Sequence, residues 1–326
     1  LLDRHGVAHP PPGATHYFGR IGKYALKWES HTEFVTYTAF ADGVSARSFD
    51  PADFEVFPAD WLAEAPGMRI TSALVRIDVL KEKEEVVRSL SDWFVPESLA
   101  ASYVLDEAAV VAGDFRIDSA GHIRLAVFVA PGTGARRVGR IVQRMLEIET
   151  YKTMSMLGFA RVREIGSRMG HIDRQLTDLM ADMRDEEKSA DLTLAGLLAV
   201  SAELENLGVQ TSFRFGATSA YEAIVHQRIE VMRETRFDGR QTLNEFMMRR
   251  YDPAMRTVKA SEARLKAMSD RAIRAGELLR TRVDVERSAQ NQQLLESMNQ
   301  RADMQLRLQK TVEGLSTVAI SYYAVS

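Results

Sequence analysis

Residues 162–183 read VREIGSRMGHIDRQLTDLMADM, and their apolar side chains recur at alternating spacings of three and four. The positions are Val162, Ile165, Met169, Ile172, Leu176, Leu179 and Met183. A spacing that averages three and a half keeps one stripe of a helix facing a neighbouring helix. This stretch therefore predicts a coiled-coil seam.

Two further helices are predicted from the residues that follow this seam. The charged turn Arg184–Lys188 should end a first helix that begins near Arg136, and a second helix should run from about Asp191 to Arg236. Phe237–Arg240 contains a glycine and breaks the pattern. A third helix then runs from Gln241 onward, with roughly 85 residues at about 1.5 Å each. Asp252–Pro253 is a candidate kink or interruption, because proline cannot continue the backbone hydrogen bonds.

The first third of the sequence carries strand and turn signals instead. Runs rich in β-branched and aromatic residues predict strands over 31–40 and 68–80, and the period over 84–94 predicts a helix. The strands 110–117 and 123–130 flank a short loop with glycine, which predicts a hairpin. The fold class is therefore α+β. Residues 1–132 form an α/β head domain with a mostly antiparallel sheet, and residues 133–326 form a long-helix stalk domain, a three-helix coiled coil.

Composition excludes several classes of function. The chain of 326 residues has no cysteine, which rules out disulfides, a thiol nucleophile and thiolate metal sites. Its formal net charge of -3 gives no polybasic footprint, so we expect no nucleic-acid partner. No serine elbow, zinc-helix motif or kinase-type glycine loop is present in the sequence.

The third helix becomes polar and then apolar toward its end. Residues 284–293 offer little to bury, so they should be solvated or line a polar axis between subunits of a homo-oligomer. The residues expected along this stalk axis are Gln290, Leu294, Gln305, Leu308 and Val312. After Glu313 only about 13 uncharged residues remain, whereas a membrane span needs roughly 20.

We therefore expect the soluble part of an anchored protein, attached to the membrane through a removed C-terminal segment. Because the sequence starts with Leu1 and no signal peptide precedes the fold, the amino terminus also looks trimmed. Within this chain, Leu315–Tyr323 should be a frayed or artificially packed end.

One candidate metal site lies early in the chain. Glu29, His31 and Glu33 alternate, so on a strand they would share a face and could offer oxygen and imidazole ligands to a divalent cation. The competing interpretation is a charged strand start with a hydrogen-bonded histidine.

One candidate anion site lies between the two predicted domains. Gly132, Gly134, Arg136 and Arg137 follow a strand and open a helix, where free backbone amides could hold a phosphate. The dinucleotide and phosphate-loop fingerprints are both incomplete here. A plain connecting loop is the alternative.

Four segments resemble a known family. They are LKWESHTEFVTYT (26–38), VQRMLEIETY (142–151), LRTRVD (279–284) and TVEGLS with ISYY (311–316 and 320–323). They are similar to an uncharacterised, predicted membrane-anchored proteobacterial family, a domain of unknown function. The resemblance implies residues before Leu1 and, after the tyrosine pair, two membrane helices with a basic tail. It implies no functional residues.

The order of elements also resembles the architecture of CorA-type divalent-cation transporters. An α/β cytoplasmic domain, a long-helix stalk containing Gln290-Asn291 and terminal membrane helices are common to both. The Gly-Met-Asn signature of such transporters follows their first membrane helix, and this chain ends too early to test for it. Arg301 and Arg307 would disfavour cations in a narrow path unless they point outward.

These observations predict the cytoplasm-facing domain of an inner-membrane protein, a self-associating module that is not an enzyme. The soluble domain of a CorA-like divalent-cation transporter or channel is the first alternative. A membrane-face enzyme with a metal site is the second.

Overall fold

The computed structural model describes residues 1–185 and 187–325, with the backbone only for residues 315 and 317–325. The protein is α+β, with a region of sheets first and long helices after it. The strands are β1 (His16–Ile21), β2 (Tyr24–Ser30), β3 (Val35–Phe40), β4 (Ala73–Val79), β5 (Ala100–Val104), β6 (Ala109–Ile117), β7 (Ile123–Val129) and β8 (Thr235–Arg236). The α-helices are α1 (Ala59–Glu64), α2 (Lys83–Trp93), α3 (Ala135–Asp182), α4 (Ala190–Glu230), α5 (Leu243–Arg250) and α6 (Asp252–Val325).

The chain forms two compact units, and each is built from separate stretches of sequence. Unit 1 comprises Leu1–Val162 and Phe213–Ala260, and unit 2 comprises Arg163–Ser212 and Ser261–Ser326. Parts of all three long helices therefore belong to each unit. The domain boundary at residues 132 and 133 stays a prediction.

A five-stranded sheet in the order β4-β7-β6-β5-β8 forms the centre of unit 1. Strands β4 and β7 are parallel, and the other neighbouring pairs are antiparallel. Successive side chains of β6 enter different cores, as the two-residue period of a strand requires. Val110 packs with Val86 and Leu90 of α2, whereas Val111 packs with Ile141 of α3. Helices α2 and α3 therefore cover opposite faces of this sheet.

A smaller antiparallel sheet, β1-β2-β3, also lies in unit 1. Its core contains Ile21, Leu26, Val56 and Phe57, and Trp61 of α1 packs against it. The strand ends at Ser30 and Val35 pair with each other. The intervening residues 31–34 form a tight turn, closed by a hydrogen bond of 2.8 Å from the His31 amide to the Phe34 carbonyl.

Helices α3 and α4 approach each other closely within unit 1. A Cβ added to Gly158 would lie 2.1 Å from Oγ1 of Thr218, so only glycine fits this crossing. The Thr218 hydroxyl donates to the Ser155 carbonyl at 3.3 Å. The Ser155 hydroxyl is also 2.8 Å from the hydroxyl of the buried Tyr251, so polar groups at this crossing are hydrogen-bonded.

Unit 2 consists of helical segments that each bury one apolar stripe. The buried side chains are Ile165, Met169, Ile172 and Leu176 of α3, Leu197, Val200, Leu204 and Leu207 of α4, and Leu265, Met268, Ala272, Ala275, Leu279 and Val283 of α6. Ion pairs join the segments: Asp173 with Arg264 at 2.6 Å, and Arg168 with Glu203 at 2.8 Å. The stripe on residues 162–183 is thus a helix-packing surface, and its coiled-coil character stays a prediction.

Most predicted elements are confirmed, with corrections at their ends. The first two long helices and the hairpin around residues 118–122 are present, whereas the predicted strand 31–40 begins only at Val35. The predicted third helix is divided into α5 and α6 at Tyr251, just before Pro253. The expected packing of Leu315–Tyr323 lies outside the described residues, apart from Ser316.

Candidate functional site

An open cleft lies in unit 1, beside the turn between β2 and β3. Its volume is about 460 Å³. The lining residues are Thr15, Ser30, His31, Thr32, Phe34, Tyr151, Tyr221 and Ile224. The cleft thus has an aromatic wall and a rim of hydroxyl groups.

Glu33 is the charged residue that fixes the turn beside this cleft. Arg214 donates to both of its carboxylate oxygens, at 3.1 and 2.6 Å, and the Tyr221 hydroxyl donates at 2.7 Å. Arg214 and Tyr221 lie about two turns apart on α4, so they share one face of that helix. Three charge-assisted hydrogen bonds therefore attach the turn to α4.

The ionisation of Glu33 follows from these contacts. Burial opposes its charge, but the hydrogen bonds from Arg214 and Tyr221 and the charge of Arg214 outweigh burial and lower its pKa. The side chains of Glu33 and Arg214 are only 14% and 23% exposed. Glu33 is therefore a neutralised anchor and is poorly suited to act as a general base.

Four aromatic rings pack together at the wall of the cleft. Phe34 stacks on His31 at a centroid distance of 4.4 Å, and it meets Tyr151 and Tyr221 edge-on at 6.0 and 6.1 Å. Tyr151 and Tyr221 lie 5.5 Å apart. Because each ring has an aromatic neighbour, the wall is rigid and offers flat apolar surface to a ligand.

Both tyrosine hydroxyls remain protonated near neutral pH. Burial raises the pKa of Tyr221, and its hydrogen bond to Glu33 raises it further. Burial also raises the pKa of Tyr151. The cleft therefore suits a small uncharged ligand with a flat apolar face, held by hydroxyl contacts.

The structure separates the residues of the metal prediction. Its premise of a shared strand is wrong, because Glu29 lies on β2 while His31 and Glu33 lie in the turn. Glu29 pairs with Lys27 at 2.8 Å, and Glu33 pairs with Arg214. Among the described residues, no group of three histidine or acidic side chains is placed to hold a metal ion. A metal at Glu29, His31 and Glu33 stays a prediction without geometric support.

The residues of the anion prediction surround the start of α3. Gly132 has φ +82°, and Arg136 is exposed. Arg137 donates to the Leu105 carbonyl at 2.5 Å and lies 3.6 Å from Asp106. The two arginines of the motif thus differ, because Arg137 has protein partners whereas Arg136 points into solvent.

The expected axis residues all lie on the exposed part of α6. Leu294, Leu308 and Val312 are 61%, 70% and 55% exposed, and Gln290 and Gln305 are exposed as well. Leu294, Leu308 and Val312 fall into the same seven-residue repeat, whereas Gln290 lies beside it.

Sequence reasoning missed Arg214, Tyr221 and Tyr151. Glu33 meets Arg214 across 181 positions of sequence, so no local pattern could reveal the pair. The available signal was the spacing of Arg214 and Tyr221 on one helical face.

By length and composition, one helix of the described residues, α4, could cross a membrane, although the core helix of a soluble protein passes the same test.

Comparison with known proteins identifies the family. No curated protein and no solved structure matches the chain, and similarity to CorA-type transporters is not shown. A family model matches residues 1–326. The chain belongs to the family described as "Protein of unknown function (DUF3422)".

Proposed function

We propose that this chain is the self-associating, cytoplasm-facing module of an inner-membrane-anchored protein and that it does not act as an enzyme. One observation carries the proposal. Between Asp284 and Gly314 every side chain of α6 except Ser297 is exposed, although the segment contains several large apolar residues. At about 1.5 Å per residue this exposed helix extends about 45 Å.

Four large apolar residues of this segment follow a heptad spacing, whereas Val285, Leu295, Met304 and Leu306 lie off it. Leu294, Met298, Leu308 and Val312 occupy its positions, and each is more than half exposed. Fully burying one such side chain is worth about 1.5 to 3 kcal/mol. A helix from a second copy carries the same repeat and would cover this stripe. We therefore assign Leu294, Met298, Leu308 and Val312 to the contact between copies.

Polar residues interrupt the same repeat. Asn291, Arg301 and Gln305 occupy its remaining positions, and all three are exposed. A polar residue at such a position lowers stability but favours one register and one oligomeric state. This pattern supports an assembly of parallel copies with a defined register.

Membrane attachment and orientation rest on the sequence alone. No residue after Glu313 carries a charged side chain through Ser326. An apolar continuation of a polar helix is typical of a helix that approaches a membrane. The absence of cysteine agrees with a cytoplasmic setting.

A binding role fits the side chains of the cleft in unit 1. Arg214 and Tyr221 neutralise Glu33, and Tyr151 and Tyr221 keep their protons at neutral pH. An active site usually has groups whose pKa values are shifted toward the working pH instead. The described cleft is therefore better suited to binding than to acid-base chemistry.

Light scattering after gel filtration tests the assembly. We expect the wild-type mass to exceed that of one chain and the Leu308→Glu variant to fall to the mass of one chain. Leu306→Glu is the matched control, because Leu306 is 56% exposed in the same segment but lies off the heptad stripe. A wild-type protein with the mass of one chain at every concentration would refute the proposal.

A conducting assembly is a second candidate. Parallel copies of α6 would bring the exposed Gln305 near a shared axis and place Gln290 beside it, as expected for a CorA-like transporter or channel. Divalent-cation flux into liposomes that contain the membrane-inserted protein tests this candidate. Flux no faster than in empty liposomes would eliminate it.

A further inference from the structure

Five arginines converge in unit 1 where α3 begins and α4 ends. They are Arg137, Arg140, Arg144, Arg228 and Arg233. Arg137, Arg140 and Arg144 are spaced by three and four residues, so they lie along one face of α3. Arg228 belongs to the last turn of α4, and Arg233 follows that helix.

Two carboxylates neutralise part of this cluster. Asp106 lies 2.8 Å from Arg233 and 3.6 Å from Arg137, and Glu147 pairs with Arg228. Asp106 is held in a turn where Leu105, Asp106 and Glu107 all have positive φ, near 51°, 57° and 60°. A left-handed backbone is unfavourable for residues other than glycine, so the Asp106 contacts help to hold this turn.

Neither Arg140 nor Arg144 forms an ion pair with a described residue, although the Glu147 carboxylate, which pairs with Arg228, lies near Arg144. Arg144 donates only to the Val231 carbonyl, at 3.4 Å. Burial lowers the pKa of Arg144, and the charges of Arg140, Arg228 and Arg233 lower it further, whereas the charge of Glu147 opposes this change. Arg140 is exposed and forms no hydrogen bond or ion pair to any described residue. Two positively charged groups one helical turn apart therefore repel each other.

Other acidic residues near this cluster in sequence do not relieve the repulsion. Glu107 and Glu230 are exposed, and neither forms an ion pair with a described arginine. The surface around Arg140 and Arg144 therefore carries more positive charge than Asp106 and Glu147 neutralise.

We infer that Arg140 and Arg144 bind a phosphate group. A guanidinium offers a planar set of donors that matches phosphate oxygens, and two of them one turn apart can share one anion. The site differs from the loop predicted from Gly132, Gly134, Arg136 and Arg137. Arg137 is occupied by the Leu105 carbonyl and Asp106, so the anion lies one to two turns farther along α3.

Calorimetric titration with inorganic phosphate at constant ionic strength tests the site. Wild-type protein should bind phosphate saturably, whereas Arg140→Gln and Arg144→Gln should each weaken binding tenfold or more. Arg163→Gln is the matched control and should bind as wild type does, because Arg163 is exposed on the same helix about five turns beyond Arg144. Since Arg140 is exposed, Arg140→Gln should keep the wild-type thermal unfolding temperature in the absence of phosphate.

Vesicles identify the source of the phosphate. Sedimentation with phosphatidylglycerol vesicles but not with phosphatidylcholine vesicles, lost in Arg140→Gln, would assign the site to an anionic lipid headgroup. Binding of inorganic phosphate without vesicle binding would assign it to a soluble phosphate compound. Binding of neither probe, or binding that Arg140→Gln and Arg144→Gln leave unchanged, would overturn the inference.

Discussion

Replacing Gly158 by alanine should destabilise the contact between α3 and α4 in unit 1. The added Cβ would lie 2.1 Å from Oγ1, 2.9 Å from Cβ and 3.0 Å from Cγ2 of Thr218. Thr218 is buried, and its branched side chain has few rotamers in a helix. Because the clash includes Cβ of Thr218, rotation of that side chain cannot remove it. The two helices must separate.

The expected cost follows from three opposing effects. Overpacking costs about 1 to 3 kcal/mol, and loss of the hydrogen bond from Thr218 to the Ser155 carbonyl adds about 0.5 to 1.5 kcal/mol. Alanine is favoured over glycine within a helix by about 1 kcal/mol. The net result is a decrease of about 0.5 to 3.5 kcal/mol in the free energy of unfolding.

Urea unfolding followed by circular dichroism measures this change. Gly139→Ala is the control, because nothing lies within 4 Å of its added Cβ, and it should increase stability by about 0.5 to 1 kcal/mol. Thr218→Ala should partly rescue Gly158→Ala, giving a non-additive double mutant. A Gly158→Ala variant as stable as wild type would contradict the close packing of these helices.

Three further predictions concern individual hydrogen-bonded groups. The contacts that lower the pKa of Glu33 stabilise the fold fully at pH values above 4.5, the ordinary pKa of a glutamate. This stabilisation is lost as the pH falls through the lowered pKa of Glu33. In urea titrations, Glu33→Gln should thus lower the free energy of unfolding by about 2 to 3 kcal/mol near pH 7 and by less in acid. The control Glu97→Gln, at an exposed position, should show little change. Burial raises the pKa of Glu234, so its contribution is present below 4.5 and declines as the pH rises through the raised pKa. Glu234→Gln should remove that decline, and a steeper decline in the same titration would refute the sign. Thr242→Ala removes the capping box of α5 and should cost about 1 kcal/mol, with faster hydrogen exchange confined to that helix as the expected signature.

Local chemistry made the hairpin between β6 and β7 predictable. Gly121 has φ +88°, which suits glycine, and the Asp118 carboxylate accepts from the backbone amides of Ala120 and His122. All of these groups lie within a few residues of sequence. The turn type was therefore available from composition and spacing.

Distant contacts explain the elements that the sequence left unpredicted. Strand β2 contains alanine, lysine and glutamate, and it becomes a strand because β1 and β3 pair with both of its edges. Helix α4 ends at Glu230 rather than Arg236, since Arg233 has φ +49° and the Met232 carbonyl accepts from the Leu105 amide at 2.8 Å. Neither contact has a local signature.

The same limit applies to the two candidate binding sites. His31 and Glu33 stood out as ligand-forming residues, but the partner that neutralises Glu33 lies on α4. Arg137 stood out in a phosphate motif, but the carbonyl of Leu105 occupies it. In both cases the charged residue was visible in the sequence, whereas its partner came from the tertiary fold.

Helix α6 shows why periodicity alone cannot separate folding from assembly. Its stripe through Leu265 and Leu279 is buried by other helical segments of unit 2, whereas the stripe through Leu294 and Leu308 is exposed. Both stripes have the same apolar spacing, so each predicts a helix neighbour. Only the first finds that neighbour within the described chain. For the second stripe, full burial by a helix of another copy would contribute about 1.5 to 3 kcal/mol per large side chain.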